Sequence, residues 1–360
     1  MKKLLKYFIL PIGIIILLLI IHFIMIKKLD NIVLEMSNFY VEKLDENLPY
    51  SIPSTFIEGE RFYIKLPLAN GDTILALGDT GGGNSMMLPA TVKKKNLSAK
   101  ISTGLLKGIM PVHYILFKDL VSDVHFPQPS PLRSFIIRQP FTRLNEPSLF
   151  IPPMDEEMEF ITQSMPDMEV FLGQNFFMNH AWTIDYIHQK ITVNTPLTEQ
   201  DKSNPNVQKL GFKKNNNGEN IFGHPSMYIE VNGERIDVLF DTGATISLSD
   251  DGKKALNRNI KTIGGSFIAA SIFNKWRKEH PEWKYYPKAD MKNDVIEVPI
   301  IKIGSNEIGP VLFAKRADEN WSTGMINTMD KVVKGAIGGS GLKYLKVTID
   351  YNSELIKFEK

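Results

Sequence analysis

The chain has 360 residues, 42 Lys and Arg against 40 Asp and Glu, 43% hydrophobic and 23% charged residues, and no cysteine. That balance belongs to a folded protein rather than a disordered one, and a net charge of +2 offers no general attraction for nucleic acid, so no nucleic-acid partner is expected. The missing cysteines exclude disulfide scaffolds, thiol nucleophiles, Cys-ligated zinc and iron–sulfur clusters together, leaving any chemistry to oxygen and nitrogen groups.

Residues 7–26 read YFILPIGIIILLLIIHFIMI, and a helix of about 20 apolar residues spans roughly 30 Å of hydrocarbon. The run is too long for a secretory leader and ends in Ile26-Lys27-Lys28 rather than in small residues, which predicts an uncleaved single-pass anchor in a lipid bilayer. Lys2, Lys3 and Lys6 precede it, while Lys27 and Lys28 are followed by Asp30 and Glu35; the balance favours the N-terminus inside, with the body of the protein periplasmic or extracellular. Residues 1–28 are thus read as cytoplasmic tip and anchor, and 29–54 as a tether.

The remainder contains a duplication. Its first copy runs Thr73-Ile74-Leu75-Ala76-Leu77-Gly78-Asp79-Thr80-Gly81-Gly82, then Val170-Phe171-Leu172-Gly173, then Thr183-Ile184-Asp185-Tyr186. Its second runs Ile236-Asp237-Val238-Leu239-Phe240-Asp241-Thr242-Gly243-Ala244, then Ala336-Ile337-Gly338, then Thr348-Ile349-Asp350-Tyr351. Three anchors in one order at nearly one offset make two copies of one unit, 55–198 and 219–360, joined by a polar linker at 199–218. Each copy reads as β-rich. Short alternating runs at 62–68 and 227–231 meet turn signals at Asn70-Gly71 and Asn232-Gly233, and the next strand runs into Asp-Thr-Gly; further short strands close the units at 190–193 and 355–358. The spacing over 268–278 predicts a helix stopping before Pro281, and the acidic, Met-rich run 154–168 a solvated loop or helix face without a site. The histidines, among them His180, His188, His224 and His280, show no metal spacing and are read as surface or strand residues, and no metal or cofactor is expected.

A carboxylate at a strand end, followed by Thr and Gly, lies at a tight turn whose N–H groups can hold it. With one such carboxylate per copy, a pseudo-two-fold axis would bring Asp79 and Asp241 together, where like charges cannot both ionise and share a proton. That is an acid and a base in one site, able to activate water against a peptide carbonyl.

The paired motifs, each followed downstream by Phe171-Leu172-Gly173 or Ala336-Ile337-Gly338, resemble the two lobes of an aspartic protease. The stretch from Val231-Asn232-Gly233 to Ala244 is most similar to retropepsin-like members, the likeness covering roughly 55–360. The resemblance implies a mainly β, pepsin-like fold of two homologous β-barrel lobes, with Asp79 and Asp241 as the catalytic pair of an aspartic endopeptidase acting on polypeptides as a monomer. It also implies that Thr80 and Thr242 bond across the lobe interface, with Gly81, Gly82, Gly243 and Ala244 completing the active-site loops. A flap is expected within Ser102–Leu120, Tyr114 being its candidate aromatic residue. Pepsin-type motifs carry Ser or Thr where this chain has Gly82 and Ala244, so fewer hydrogen bonds favour the charged pair and a pH optimum nearer neutral is expected. Two other readings stay open: a membrane-tethered peptide-binding module of the same fold without activity, and an actin-like ATPase using the Gly-rich turn as a phosphate cradle. Lys-, Asn- and Ile-rich usage points to a bacterial source.

Overall fold

The computed structural model describes residues 16–21, 24, 47–101, 112–121, 123, 125–131, 146–165 and 167–360. Residues 16–21 and 24 are helical and exposed; the rest of the span expected at 7–26 lies outside the described residues. Among those described, no helix is long and apolar enough to cross a membrane.

The first half contributes β1 (Tyr50–Ile52), β2 (Ser54–Ile57), β3 (Arg61–Pro67), β4 (Thr73–Gly78), β5 (Met86–Met87) and β6 (Lys100–Ile101). It continues with β7 (His113–Leu116), β8 (Ser148–Ile151), β9 (Val170–Leu172), β10 (Ala181–Asp185) and β11 (Lys190–Asn194). Then come β12 (Val207–Lys209), β13 (Ser226–Val231), β14 (Glu234–Phe240), β15 (Thr245–Ser247), β16 (Thr262–Gly264), β17 (Ser266–Ala269) and β18 (Tyr285–Asp290). The chain ends through β19 (Asn293–Val298), β20 (Ile301–Ile303), β21 (Asn306–Ile308), β22 (Val311–Arg316), β23 (Gly335–Ile337), β24 (Lys346–Asp350) and β25 (Leu355–Glu359). Helices are short: α1 (Pro89–Lys94), α2 (Phe117–Leu120), α3 (Glu156–Ser164), α4 (Gln174–Phe177), α5 (Asp250–Ala255), α6 (Ala270–Glu279) and α7 (Gly339–Leu342).

The duplication reappears as topology. One sheet runs β2-β3-β4-β9-β5-β8-β7-β6 and the other β20-β13-β14-β23-β17-β22-β19-β18, with β21 beyond β20. Pairing senses agree as well: β4 and β14 lie parallel to β9 and β23, which run antiparallel to β5 and β17, themselves parallel to β8 and β22. The second copy adds β15, α5 and β16 between its Asp-Thr-Gly turn and β17. Both sheets are open, so the expected closed barrels are replaced by sheets with free edges. β2 and β6 bound the first sheet and β21 and β18 the second, and neither pair of edges is joined by a ladder.

The β13–β14 hairpin shows why the strands begin where they do. Asn232 and Gly233 both have positive φ, 51° and 79°, the two-residue turn whose twist matches an antiparallel pair. A third, six-stranded sheet joins the halves in the order β1-β11-β10-β24-β25-β12, built symmetrically about β10 and β24. At its centre Thr183 lies opposite Thr348 and their hydroxyls bond at 2.9 Å, 165 residues apart in sequence, which places a pseudo-two-fold axis there. Beneath it Trp182 is fully buried, packs on Phe176 and Phe177, and donates its indole N–H to the Phe177 carbonyl at 2.8 Å. Each fully buried ring of this kind contributes roughly 1.5–3 kcal/mol.

Four sequence expectations shift. The 199–218 segment, read as linker, carries β12 on the edge of the joining sheet, and the tether's end forms β1 on the opposite edge. The helix expected from Ile268 starts at Ala270, because Ile268 and Ala269 close β17. The acidic run forms α3, capped by the Asp155 side chain accepting from the Met158 N–H, with Met158 and Met168 buried.

Candidate active site

Strands β4 and β14 end in the two Asp-Thr-Gly turns, which the axis brings together. Thr80 N–H donates to Thr242 Oγ1 and Thr242 N–H to Thr80 Oγ1, both at 3.1 Å. The hydroxyls then donate outward, Thr80 to the Phe240 carbonyl at 2.9 Å and Thr242 to the Gly78 carbonyl at 3.0 Å. Both threonines are fully buried, so this four-bond knot lies away from competing water.

Above the knot the two carboxyls face each other. A Cβ on Gly81 would fall 2.4 Å from the Asp241 carboxyl carbon, and one on Gly243 would fall 2.0 Å from that of Asp79. Each glycine is therefore the gap that admits the opposite carboxyl, a close approach no side chain permits. Asp79 Oδ1 accepts from Gly81 N–H at 2.9 Å and Asp241 Oδ1 from Gly243 N–H at 3.0 Å. Burial and the facing Asp241 push the Asp79 carboxyl well above the ordinary carboxylate range, and burial raises Asp241 as well. The two carboxyls are coupled across this contact, and like charges so close cannot both ionise, so the pair shares one proton and one charge.

Gly82 and Ala244, where hydroxyls were noted as missing, have packing reasons. A Cβ on Gly82 would fall 2.1 Å from the ring of Phe171, and the Ala244 Cβ lies 2.6 Å from where one on Gly338 would stand. The Phe-Leu-Gly and Ala-Ile-Gly anchors sit under the turns through matched bonds. Gly173 N–H donates to Ser85 Oγ and Gly338 N–H to Ser266 Oγ, each at 3.1 Å, and those hydroxyls bond Asn175 and Ser340 two residues further on. Ser85 therefore corresponds to Ser266 and not to Ser247, the serine at the like distance from the second aspartate; the β15–α5–β16 insertion displaces the match.

Tyr114 lies in β7, paired with Lys100 and Phe150, while the loop that would form a flap, residues 102–111, lies outside the described residues. Two residues to which the sequence assigned no role at the site enter its support. Arg61 reaches across to Thr262, donating to its carbonyl at 2.9 Å and its hydroxyl at 2.8 Å, and His224 reaches across to Gly82. Their sequence signal is slight: Arg61 opens the strand that pairs with one Asp-bearing strand, and His224 stands two residues ahead of the strand that pairs with the other. Among the described residues no three His, Asp or Glu groups are arranged to hold a metal.

No family model matches the chain, and no curated protein matches it. Among solved structures it is similar to the crystal structure of a retropepsin-like aspartic protease from Rickettsia conorii, at 18% identity and a TM-score of 0.25, over 42% of this chain and 90% of that one.

Proposed function

We propose that the chain is an aspartic endopeptidase in which Asp79 and Asp241 hydrolyse peptide bonds by general acid–base activation of water. The observation that carries the reading is the meeting of two facing carboxyls from the two halves of one chain, Asp241 buried and Asp79 partly so, each cradled by the N–H of its own turn. In this reaction the charged carboxylate of the pair takes a proton from water attacking the substrate carbonyl carbon, while the protonated partner gives its proton to the carbonyl oxygen. The tetrahedral species then collapses as a proton passes to the leaving nitrogen, and the pair returns to one shared proton. Thr80 and Thr242 tie the two turns together beneath the carboxyls. With both carboxyls in one chain, a monomer suffices. From residues 7–26 we further propose that the enzyme is membrane-anchored with its body outside the cytoplasm; a C-terminal reporter active only in the cytoplasm would overturn that part.

The test is peptide-library hydrolysis by the full chain across pH 3–8, with and without pepstatin, beside Asp79→Asn and Asp241→Asn. Loss of all cleavage in either single variant is the expected result. A folded wild type that cleaves nothing at any pH would overturn the reading and leave the peptide-binding module in its place.

A further inference from the structure

Tyr63 pairs with Leu77 and Ser226 with Leu239, and both leucines precede their aspartates by two residues. Arg61 and His224, two residues ahead of Tyr63 and Ser226, are therefore structural equivalents. Both are buried, and both cross to the opposite half. Their targets differ. Arg61 finds two acceptors on Thr262, the carbonyl and the hydroxyl, whereas His224 finds one, the carbonyl of Gly82 in the Asp79 turn, at 2.9 Å. A carbonyl only accepts, so His224 Nε2 carries the hydrogen, and Nδ1 stands buried with no partner among the described residues. One face of the ring stacks on Phe222, with planes 7° apart.

Resting on the peptidase reading, we propose that His224 is a positioning residue which, as neutral imidazole, holds the Asp79 turn from the opposite half and closes the site to acid: protonation of its ring releases the turn and stops catalysis. A proton on Nδ1 would create a buried donor with no acceptor and a buried charge with no counter-ion. The elements around the ring supply none. Segment 222–226 and α4 bear no carboxylate, and Asp79 on the facing turn already shares its proton with Asp241. Burial accordingly pulls the ring down to about 4, opposed only by the Gly82 carbonyl. At Arg61 the permanent charge is met by two oxygens, so the equivalent contact in the other half does not titrate in this range.

The experiment compares wild type with His224→Gln, whose amide can donate to Gly82 without titrating, by peptide hydrolysis from pH 3.5 to 8. Ring and carboxyl signals are followed in parallel by NMR on 15N-histidine and 13C-aspartate protein. The expected result is that wild-type kcat falls about fourfold further than that of His224→Gln between pH 5.5 and 3.5, the factor a ring titrating at about 4 supplies, with KM little changed, while the fall common to both proteins belongs to the carboxyl pair. The His224 ring is expected as the Nε2–H tautomer down to about pH 4, with a step in the Asp79 carboxyl signal at the same pH that the variant lacks. Coincident acid limbs in the two proteins, or a ring already protonated at pH 6, would overturn the proposal. If no peptide is cleaved at any pH the peptidase reading fails, and the positioning role is then decided by the NMR alone: the coupled Asp79 step sustains it and its absence overturns it.

Discussion

Replacing Thr80 by Val tests the knot between the halves while barely changing shape. The Thr80 hydroxyl accepts from Thr242 N–H at 3.1 Å and donates to the Phe240 carbonyl at 2.9 Å, and the residue has no exposed surface. Valine fills the same volume but leaves that N–H and that carbonyl buried and unpaired, at about 1–3 kcal/mol each, or about 2–6 kcal/mol in all. For a protein stable by roughly 5–15 kcal/mol this removes a large share. Equilibrium urea unfolding of the full chain in detergent micelles reads it directly: at a slope of about 3 kcal/mol/M, a 4 kcal/mol loss lowers the midpoint by about 1.3 M. Thr80→Ser keeps both bonds, loses one methyl, and should cost about 1 kcal/mol. A Thr80→Val midpoint within ~0.2 M of the serine variant would refute the argument that buried bonds, rather than fit alone, tie the halves together.

Three further outcomes are expected. Gly82→Ser supplies the hydroxyl that the turn lacks but drives its Cβ into the Phe171 ring, so it should destabilise by about 1–3 kcal/mol, with Phe171→Leu in the same chain recovering part of the loss. Thr183→Val should cost more than Thr348→Val in thermal unfolding, because Thr183 Oγ1 also accepts from Asn194 at 2.7 Å, and removing it strands two partners instead of one. Asp79 is raised above its unfolded value, so the folded state holds the extra proton and stability falls as pH rises above about 4. Asp79→Asn should therefore match wild type near pH 4 and exceed it at pH 7 in urea midpoint; equal differences at the two pH values would contradict the shared proton.

The parts of the fold written in local chemistry were legible. Asn232-Gly233 fixes a turn, alternating residues fix the strands on either side, and the order of three repeated anchors fixes the pseudo-symmetry that brings Asp79 toward Asp241. What was not legible depends on contacts between the halves. Ile268 and Ala269 suit a helix by spacing and a strand by neighbours, and β17 wins because β22 and β23 offer it partners on both sides. The insertion between Asp241 and β17 shifts Ser266 out of register with the sequence match, so equal distance from the aspartate selects the wrong serine. His224 looked like any strand histidine, since nothing local to it says that the carbonyl it bonds lies 142 residues earlier.

The two halves share a sheet order and differ where each grips the other's loop, and the difference has a direction. For His224 the folded value is depressed from 6.5 to about 4, so its contribution is whole above pH 6.5 and is lost as pH falls through about 4, some 3 kcal/mol across the window. The carboxyl pair slopes the other way, because the shared proton is lost as pH rises. Catalysis needs the imidazole neutral and the pair singly protonated, so the pair bounds the profile on both sides and His224 steepens its acid side. A bell-shaped rate profile between those edges follows, even without hydroxyls at 82 and 244. The acid limb therefore carries a contribution from a histidine of the second half, while the basic limb is the loss of the proton the two carboxyls share. Substituting His224 by glutamine should then move only the acid limb. A variant that moved both would show that the turn and the carboxyls titrate as one unit, in which case the symmetry with Arg61 is geometric only.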